Sequence, residues 1–295
     1  MSSLKSAARA ILMLPAVFVV SYVRALKRVR KGAGFAAQER LEALAGNAWE
    51  QATHSSGGTD ITMSFLAPND LCDFRVRTFS TKEPETLDWI DRFGGVGALY
   101  DVGANVGLYS VYYAKRHPGH VYAFEPSVFN LSLLARNIVA NGVGGRVAII
   151  PLPLTAREEI AQFRLTSLDM GGALSSFGAD IGFDGQPLKS VFDYETIGLS
   201  LDFMVREGLI PEPPTLLKID VDGIEHLVIE GAFEVLRAPT LKSVLIEVNS
   251  DVQALAAPVE AALRDAAFTM TEDRHGSLFV GTKFAGIGNQ IWVRP

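Results

Sequence analysis

A chain of 295 residues, 48% of them hydrophobic, is long enough to bury one large core. Its formal charge of −6 argues against a protein that holds nucleic acid by neutralising phosphates, so no nucleic-acid partner is expected. The single cysteine, Cys72, excludes an intramolecular disulfide framework and a cysteine-rich zinc site, and fits a reducing, cytoplasmic setting.

The first predicted element is the apolar run AILMLPAVFVVSYV, residues 10 to 23, with Lys5 and Arg9 before it and Arg24, Lys27, Arg28, Arg30 and Lys31 after it. At 14 residues it is shorter than a spanning helix needs, and it runs into a basic cluster where a secretory signal would have a small-residue cleavage site. Two expectations follow for residues 10–31: peripheral contact with a membrane, or a helix packed on its own domain or on a partner subunit. A short helix around Glu39 to Ala45 and a Ser/Gly loop ending at Gly58 then mark a boundary. Residues 1–58 are read as a basic helical extension and residues 59–295 as the folded domain, 59–97 preceding a core over 98–295.

DITMSFLA and DFRVRTFS read as short strands, and EPETLDWIDRF as a helix with Pro84 in its first turn. From Ala98 the chain alternates short apolar runs with helical stretches, the pattern of parallel βαβ units; the runs span residues 98–102, 120–125, 146–150, 215–221 and 243–249. Their continuous apolar character predicts a sheet covered on both faces. Leu131, Leu134 and Ile138, and later Ile224, Leu227, Val228, Gly231 and Val235, fall at helical spacing. The Gly- and Ser-rich stretch from Ala161 to Asp193 reads as a long mobile insertion, and the tail as an antiparallel strand pair at one sheet edge.

LYDVGANVGLYS, residues 99 to 110, ends a strand on Asp101 and follows it with Gly103 and Gly107. In open α/β sheets ligands lie at the carboxyl ends of such strands. The spacing is G-x-x-x-G, with Asn105 where a dinucleotide fingerprint carries its second glycine, and no phosphate-cradling P-loop is present. Glu125 ends the next strand 22 positions beyond Gly103, where these folds bind ribose hydroxyls. A carboxylate at the first turn suits an amine instead of a phosphate. A nucleoside carrying an amino acid satisfies both acids, which describes S-adenosyl-L-methionine. Taken alone, Asp101 would equally cap a turn, and Glu125 would equally be a solvated strand end.

The segments KEPETLDWIDRF, YDVGANVGLYS, AFEPSVFNLSLLARNI, KIDVDGIEHLVIEGA and NQIW, in this order from about Ile61 to the C-terminus, resemble the FkbM-like methyltransferases, a branch of the class I S-adenosylmethionine-dependent enzymes. The resemblance implies a Rossmann-like three-layer α/β sandwich, with a mostly parallel seven-stranded sheet and an antiparallel last strand. It implies that Asp101, Gly103, Asn105 and Gly107, with Ala104 beside them, surround the methionine portion of the cofactor. It also implies that Glu125 holds the ribose while Pro126, Ser127 and Asn130 shape the adenosine side. PLPLTA stands where many class I enzymes have a polar adenine contact, leaving Leu154 or a backbone amide for that role.

KIDVDGIEH gathers Asp220, Asp222 and Glu225 at the end of a later strand, where a carboxylate would take the proton of an attacking hydroxyl. Asp220 is the first choice for that base, Lys218 is placed to pair with it, and His226 is a weaker candidate. Acids this close would suit a divalent cation, yet the resemblance does not require one and no metal site is assigned. DVDG stands here where relatives more often have DVEG. Asp222 and Glu225 would equally serve a helix N-terminus. Glu247 and Asn249 are expected to line the acceptor pocket. The expected activity is O-methylation of a sugar, glycan or other small molecule; the rival is a non-catalytic protein of the same fold docking through its basic helix. The sequence encodes neither acceptor identity nor oligomeric state.

Overall fold

The computed structural model describes residues 2–45, 48–276 and 281–295. The chain forms two compact units, residues 1–48 and 49–295, each described here by itself. In the first, helix α1 (Ser2–Val29) ends one residue before helix α2 (Lys31–Ala45). The break brings Lys27 onto α2, where its ammonium donates to Gln38 and lies 4.6 Å from the Phe35 ring centre. Among the described residues no helix is long and apolar enough to cross a membrane.

The second unit opens with an antiparallel hairpin, β1 (Trp49–Ser56) and β2 (Thr59–Leu66). The Ser/Gly stretch expected to be a boundary loop is therefore the end of β1 and its turn, with Gly57 and Gly58 both at positive φ. Three helices follow: α3 (Asp70–Arg77), α4 (Phe79–Lys82) and α5 (Pro84–Phe93). The expected strand DFRVRTFS is thus helical. Asn69 caps α3 by accepting from the Cys72 amide at 2.8 Å, and Cys72, Val76 and Phe79 are buried at helical spacing.

The core then runs β3 (Ala98–Val102), α6 (Leu108–Arg116), β4 (Val121–Phe124), α7 (Val128–Ala140), β5 (Val147–Ile150), β6 (Glu159–Leu165), β7 (Ser176–Phe177) and β8 (Phe192–Gly198). It continues with α8 (Leu201–Arg206), β9 (Pro214–Ile219), α9 (Glu225–Glu230), α10 (Phe233–Arg237), β10 (Ser243–Asn249), α11 (Gln253–Asp265), β11 (Thr269–His275) and β12 (Ile287–Val293). The main sheet has seven strands in the order β11-β12-β10-β9-β3-β4-β5. β12 runs antiparallel to both neighbours, as the tail pattern predicts. The stretch from Ala161 to Asp193 is not a structureless insertion: β7, β6 and β8 form a separate three-stranded sheet around its loops.

Strand alternation divides the core. Tyr100, Val102, Leu217 and Ile219 face one layer of helices, while Leu99, Leu216 and Leu245 face the other with Trp89 and Val111. Asp101 takes the Leu99 side, in register with Lys218 of β9. The helix predicted through Val235 is interrupted between α9 and α10 at Gly231, where a Cβ would stand 2.2 Å from the Thr155 carbonyl oxygen.

Candidate active site

Strand order switches sides at β3, with β4 and β5 added on one side and β9 on the other, all parallel, and a crevice opens at the carboxyl ends of β9, β3 and β4. The loop after β3 forms its floor. Gly103 sits at φ +85°, and a Cβ there would lie 1.8 Å from the backbone oxygen of Asp220. The missing side chain therefore lets the ends of β3 and β9 close on each other. Gly107, at φ +83°, opens α6 against Leu134 and does not line the crevice. Gly103→Ala is expected to destabilise the fold by more than about 2 kcal/mol, read as a drop in thermal midpoint, because strain and collision coincide there.

Glu125 is 4% exposed, and its carboxylate accepts from the amides of Asn105 at 2.8 Å and Ser127 at 2.7 Å. It ties the loop after β3 to the loop after β4. Burial pushes its carboxyl up to about 7 against the opposing effect of those amides. Around it, Gly103, Asn105, Pro126, Ser127, Asn130 and Leu154 border a cleft with about 560 Å³ of open space. The opposite wall comes from Gly172, Ala173 and Phe177, in the segment read as a mobile insertion. That wall is held by side chains of the floor. Asn105 and Asn130 donate to the Gly172 carbonyl at 2.8 and 3.1 Å, and Asn130 accepts from the Gly171 amide at 2.9 Å. The Asn105 side-chain oxygen remains a buried acceptor without a hydrogen-bond partner.

Asp101 does not reach the cleft. It is 1% exposed, accepts from the Ser110 hydroxyl at 2.6 Å, and lies 3.9 Å from the Lys218 ammonium. Where the sequence reading expects Asp101 beside a ligand amine, alternation along β3 turns this side chain under α6. Burial raises its carboxyl, with Lys218 and Ser110 opposing the rise. Lys218, also 1% exposed, reaches Asp220 at 3.0 Å. Burial alone would lower its ammonium pKa, but Asp220 and Asp101 raise it. Ala104 borders a smaller neighbouring void with Arg75, Lys82, Tyr109 and Lys218.

Asp220 borders the cleft, that smaller void and a third, outer void, so it stands at their junction. Burial would raise its carboxyl, yet the ammonium groups of Lys218 and Lys82 hold it below the usual range. Asp222, at φ +61°, accepts from the Leu174 amide at 2.7 Å and is pushed up to about 6 by burial and by Asp220. Glu247, at the end of β10, is pushed up by burial and by the charges of Asp220, Glu83 and Asp222. One oxygen from each of Asp220, Asp222 and Glu247 lies within 4.8 Å of the others, the only such group among the described residues. Lysines already balance part of that charge, and the cluster carries no metal assignment.

Glu225 adjoins this cluster without joining it, sharing a small void with Glu247. It is buried, and both its oxygens accept from backbone amides of Val221 and Gly223. It closes the turn into α9, the position that the helix-start reading describes. His226 is not among the residues bordering the junction.

The outer void offers about 980 Å³ between Leu71, Phe74, Leu174, Phe284 and Ile287, with Arg75 and Lys82 at its charged side. Arg75, Lys82, Glu83 and Tyr109 were not singled out as site residues from sequence. Arg75 donates twice to the Gly171 carbonyl, at 3.1 and 2.9 Å, and Tyr109 donates to Glu83 at 2.8 Å. Alternating charge in DFRVR obscured Arg75; Cys72, Val76 and Phe79, four and three residues apart, were the available signal.

A seven-stranded sheet with an antiparallel β12, a glycine turn after β3 and a fixed acid after β4 define a Rossmann-like class I methyltransferase fold. Residues 101–270 match the methyltransferase FkbM domain, and the chain belongs to that family. It is 29% identical over 204 residues to the 31-O-demethyl-FK506 methyltransferase FkbM of Streptomyces tacrolimicus, covering 63% of this chain and 77% of that one. It is 27% identical over 162 residues to the hexuronic acid methyltransferase AglP of Haloferax volcanii, covering 52% and 56%. The crystal structure of methyltransferase FkbM from Methylobacillus flagellatus KT superposes with a TM-score of 0.43 at 14% identity, covering 68% of this chain and 44% of that one.

Proposed function

We propose that the protein transfers a methyl group from S-adenosyl-L-methionine to a hydroxyl of a sugar, glycan or other small molecule. The observation that carries this reading is Glu125, an acceptor-only carboxylate fixed by two amides in a cleft that meets the outer void at Asp220. Two ribose hydroxyls are donors that such a group can receive, and the unpartnered Asn105 oxygen offers a further acceptor. Pro126, Ser127, Asn130 and Leu154 would enclose the base. Gly103 leaves the floor bare where the amino-acid portion passes, and Ala104, Arg75, Lys82 and Glu83 border the space beyond it. Asp101 and Gly107 would serve this site from beneath, by holding Lys218 and starting α6. When bound, the cofactor supplies a methyl group on a sulfonium, open to in-line attack.

The residues at the junction then have separate duties. Asp220 would receive the hydroxyl proton as oxygen bonds to the methyl carbon and the carbon–sulfur bond breaks, with Lys218 fixing its orientation. Asp222 and Glu247 would hold neighbouring hydroxyls of the acceptor. An oxygen acceptor is supported by the activity of the Streptomyces relative, and a sugar by that of the Haloferax one.

Radiolabelled methyl transfer into fractionated saccharide and small-molecule extracts tests the reading. Asp220→Asn is expected to lower turnover by about 10² to 10⁴, with S-adenosylhomocysteine binding kept within a few-fold. The label should survive mild alkali, as an ether does. An alkali-labile ester, or full activity in Asp220→Asn, would overturn it.

A further inference from the structure

The first unit carries a surface that is both basic and apolar. Seven of the 27 lysines and arginines lie in residues 1–31, and none of the 33 acids precedes Glu39. The remainder of the chain therefore bears a formal charge of −13. Within α1, Leu14, Phe18, Tyr22 and Val29 recur at i, i+4, i+8 and i+15, which places them within about 80° of one helical arc. All four are exposed, Phe18 at 72% and Val29 at 87%. Buried Val23, and Lys27 with its contacts to Gln38 and Phe35 of α2, lie on the opposite side of α1. Exposed Arg24 and Arg28 flank the stripe, and exposed Arg30 and Lys31 follow it.

We propose that α1 lies in the plane of an anionic lipid bilayer, with Leu14, Phe18, Tyr22 and Val29 in the interface and the basic residues on lipid headgroups. The helix is not apolar enough to cross, so in-plane burial is the membrane geometry left to it. A cationic segment on a strongly acidic protein selects a negative surface, where each added cation strengthens binding. The proposal is independent of the methyl acceptor.

The test is flotation of the full-length protein with vesicles of phosphatidylcholine alone, or with roughly one third phosphatidylglycerol. At about 0.1 M salt the anionic vesicles should carry at least about tenfold more protein, and about 1 M salt should release most of it as the Debye length contracts. Arg24→Glu with Arg28→Glu, and separately Phe18→Glu with Tyr22→Glu, should each reduce binding about tenfold or more, with S-adenosylhomocysteine affinity unchanged. These positions are exposed, so neither variant disturbs a core. Equal binding to both vesicle types, binding to neither, or variants that bind like the wild type would overturn the proposal. So would self-association that vesicles do not compete with and Phe18→Glu with Tyr22→Glu abolishes.

Discussion

Lys218→Met is expected to destabilise the protein by about 3–5 kcal/mol, the range for removing one partner of a buried ion group. Lys218 is 1% exposed and faces Asp101 at 3.9 Å and Asp220 at 3.0 Å. Methionine fills most of the same space, so the loss is electrostatic more than steric. Asp101 would keep the Ser110 hydrogen bond and lose the Lys218 cation, in a place water does not reach. Denaturant unfolding at neutral pH measures the effect, and Asp101→Asn in the Lys218→Met background should recover part of it. A loss below about 1 kcal/mol in the single variant would show that the two acids do not depend on Lys218.

Glu125→Ala is expected to weaken S-adenosylhomocysteine binding by about 100-fold, the loss of two charge-assisted hydrogen bonds of about 1.5–3 kcal/mol each less some local rearrangement. Calorimetry measures it directly. Because burial pushes the Glu125 carboxyl to about 7, the pH dependence carries a second signature. Hydroxyl donors favour the ionised form, so affinity should fall by up to about tenfold per pH unit below that value. Stability should move the other way. A carboxyl raised in the folded state binds its proton more tightly there, so this group favours folding more as pH falls from about 7 toward 4.5 and loses that contribution as pH rises through the same window. Glu125→Gln should flatten both trends. It leaves one of the Asn105 and Ser127 amides without an acceptor, a cost of about 1–3 kcal/mol. Affinity independent of pH in the wild type would remove Glu125 from the nucleoside site.

The positions of the core strands were readable because both faces of the sheet are covered, which leaves apolar runs such as ALYDV and SVLIEVN without alternation. Glu125 and Asp220 follow β4 and β9 directly and so come to one edge of the sheet, a placement the strand pattern carries; Asn130 joins them from the first turn of α7. Asp101 was placed in the right loop but given the wrong surroundings. Its fate depends on which face of β3 it takes and on Lys218 lying beside it, a pairing between residues 117 positions apart that no local pattern carries. Glu225 takes its place for a local reason: its two oxygens satisfy the amides of the turn it follows. Arg75 was missed because alternation in a short segment imitates a strand when a helix has charged residues on its outer side. The strands around the Ala161 to Asp193 stretch were hidden by the glycine and serine content of the loops between them.

The closing wall of the cleft has a kinetic implication. The Gly172 carbonyl is bonded to Asn130 and Asn105, 42 and 67 residues away, and the Gly171 carbonyl to Arg75, 96 residues away. No short segment can form that wall unaided, so during refolding the nucleoside pocket should mature only after the sheet has condensed, as one late cooperative event. A probe of pocket closure should accordingly lag behind far-ultraviolet circular dichroism.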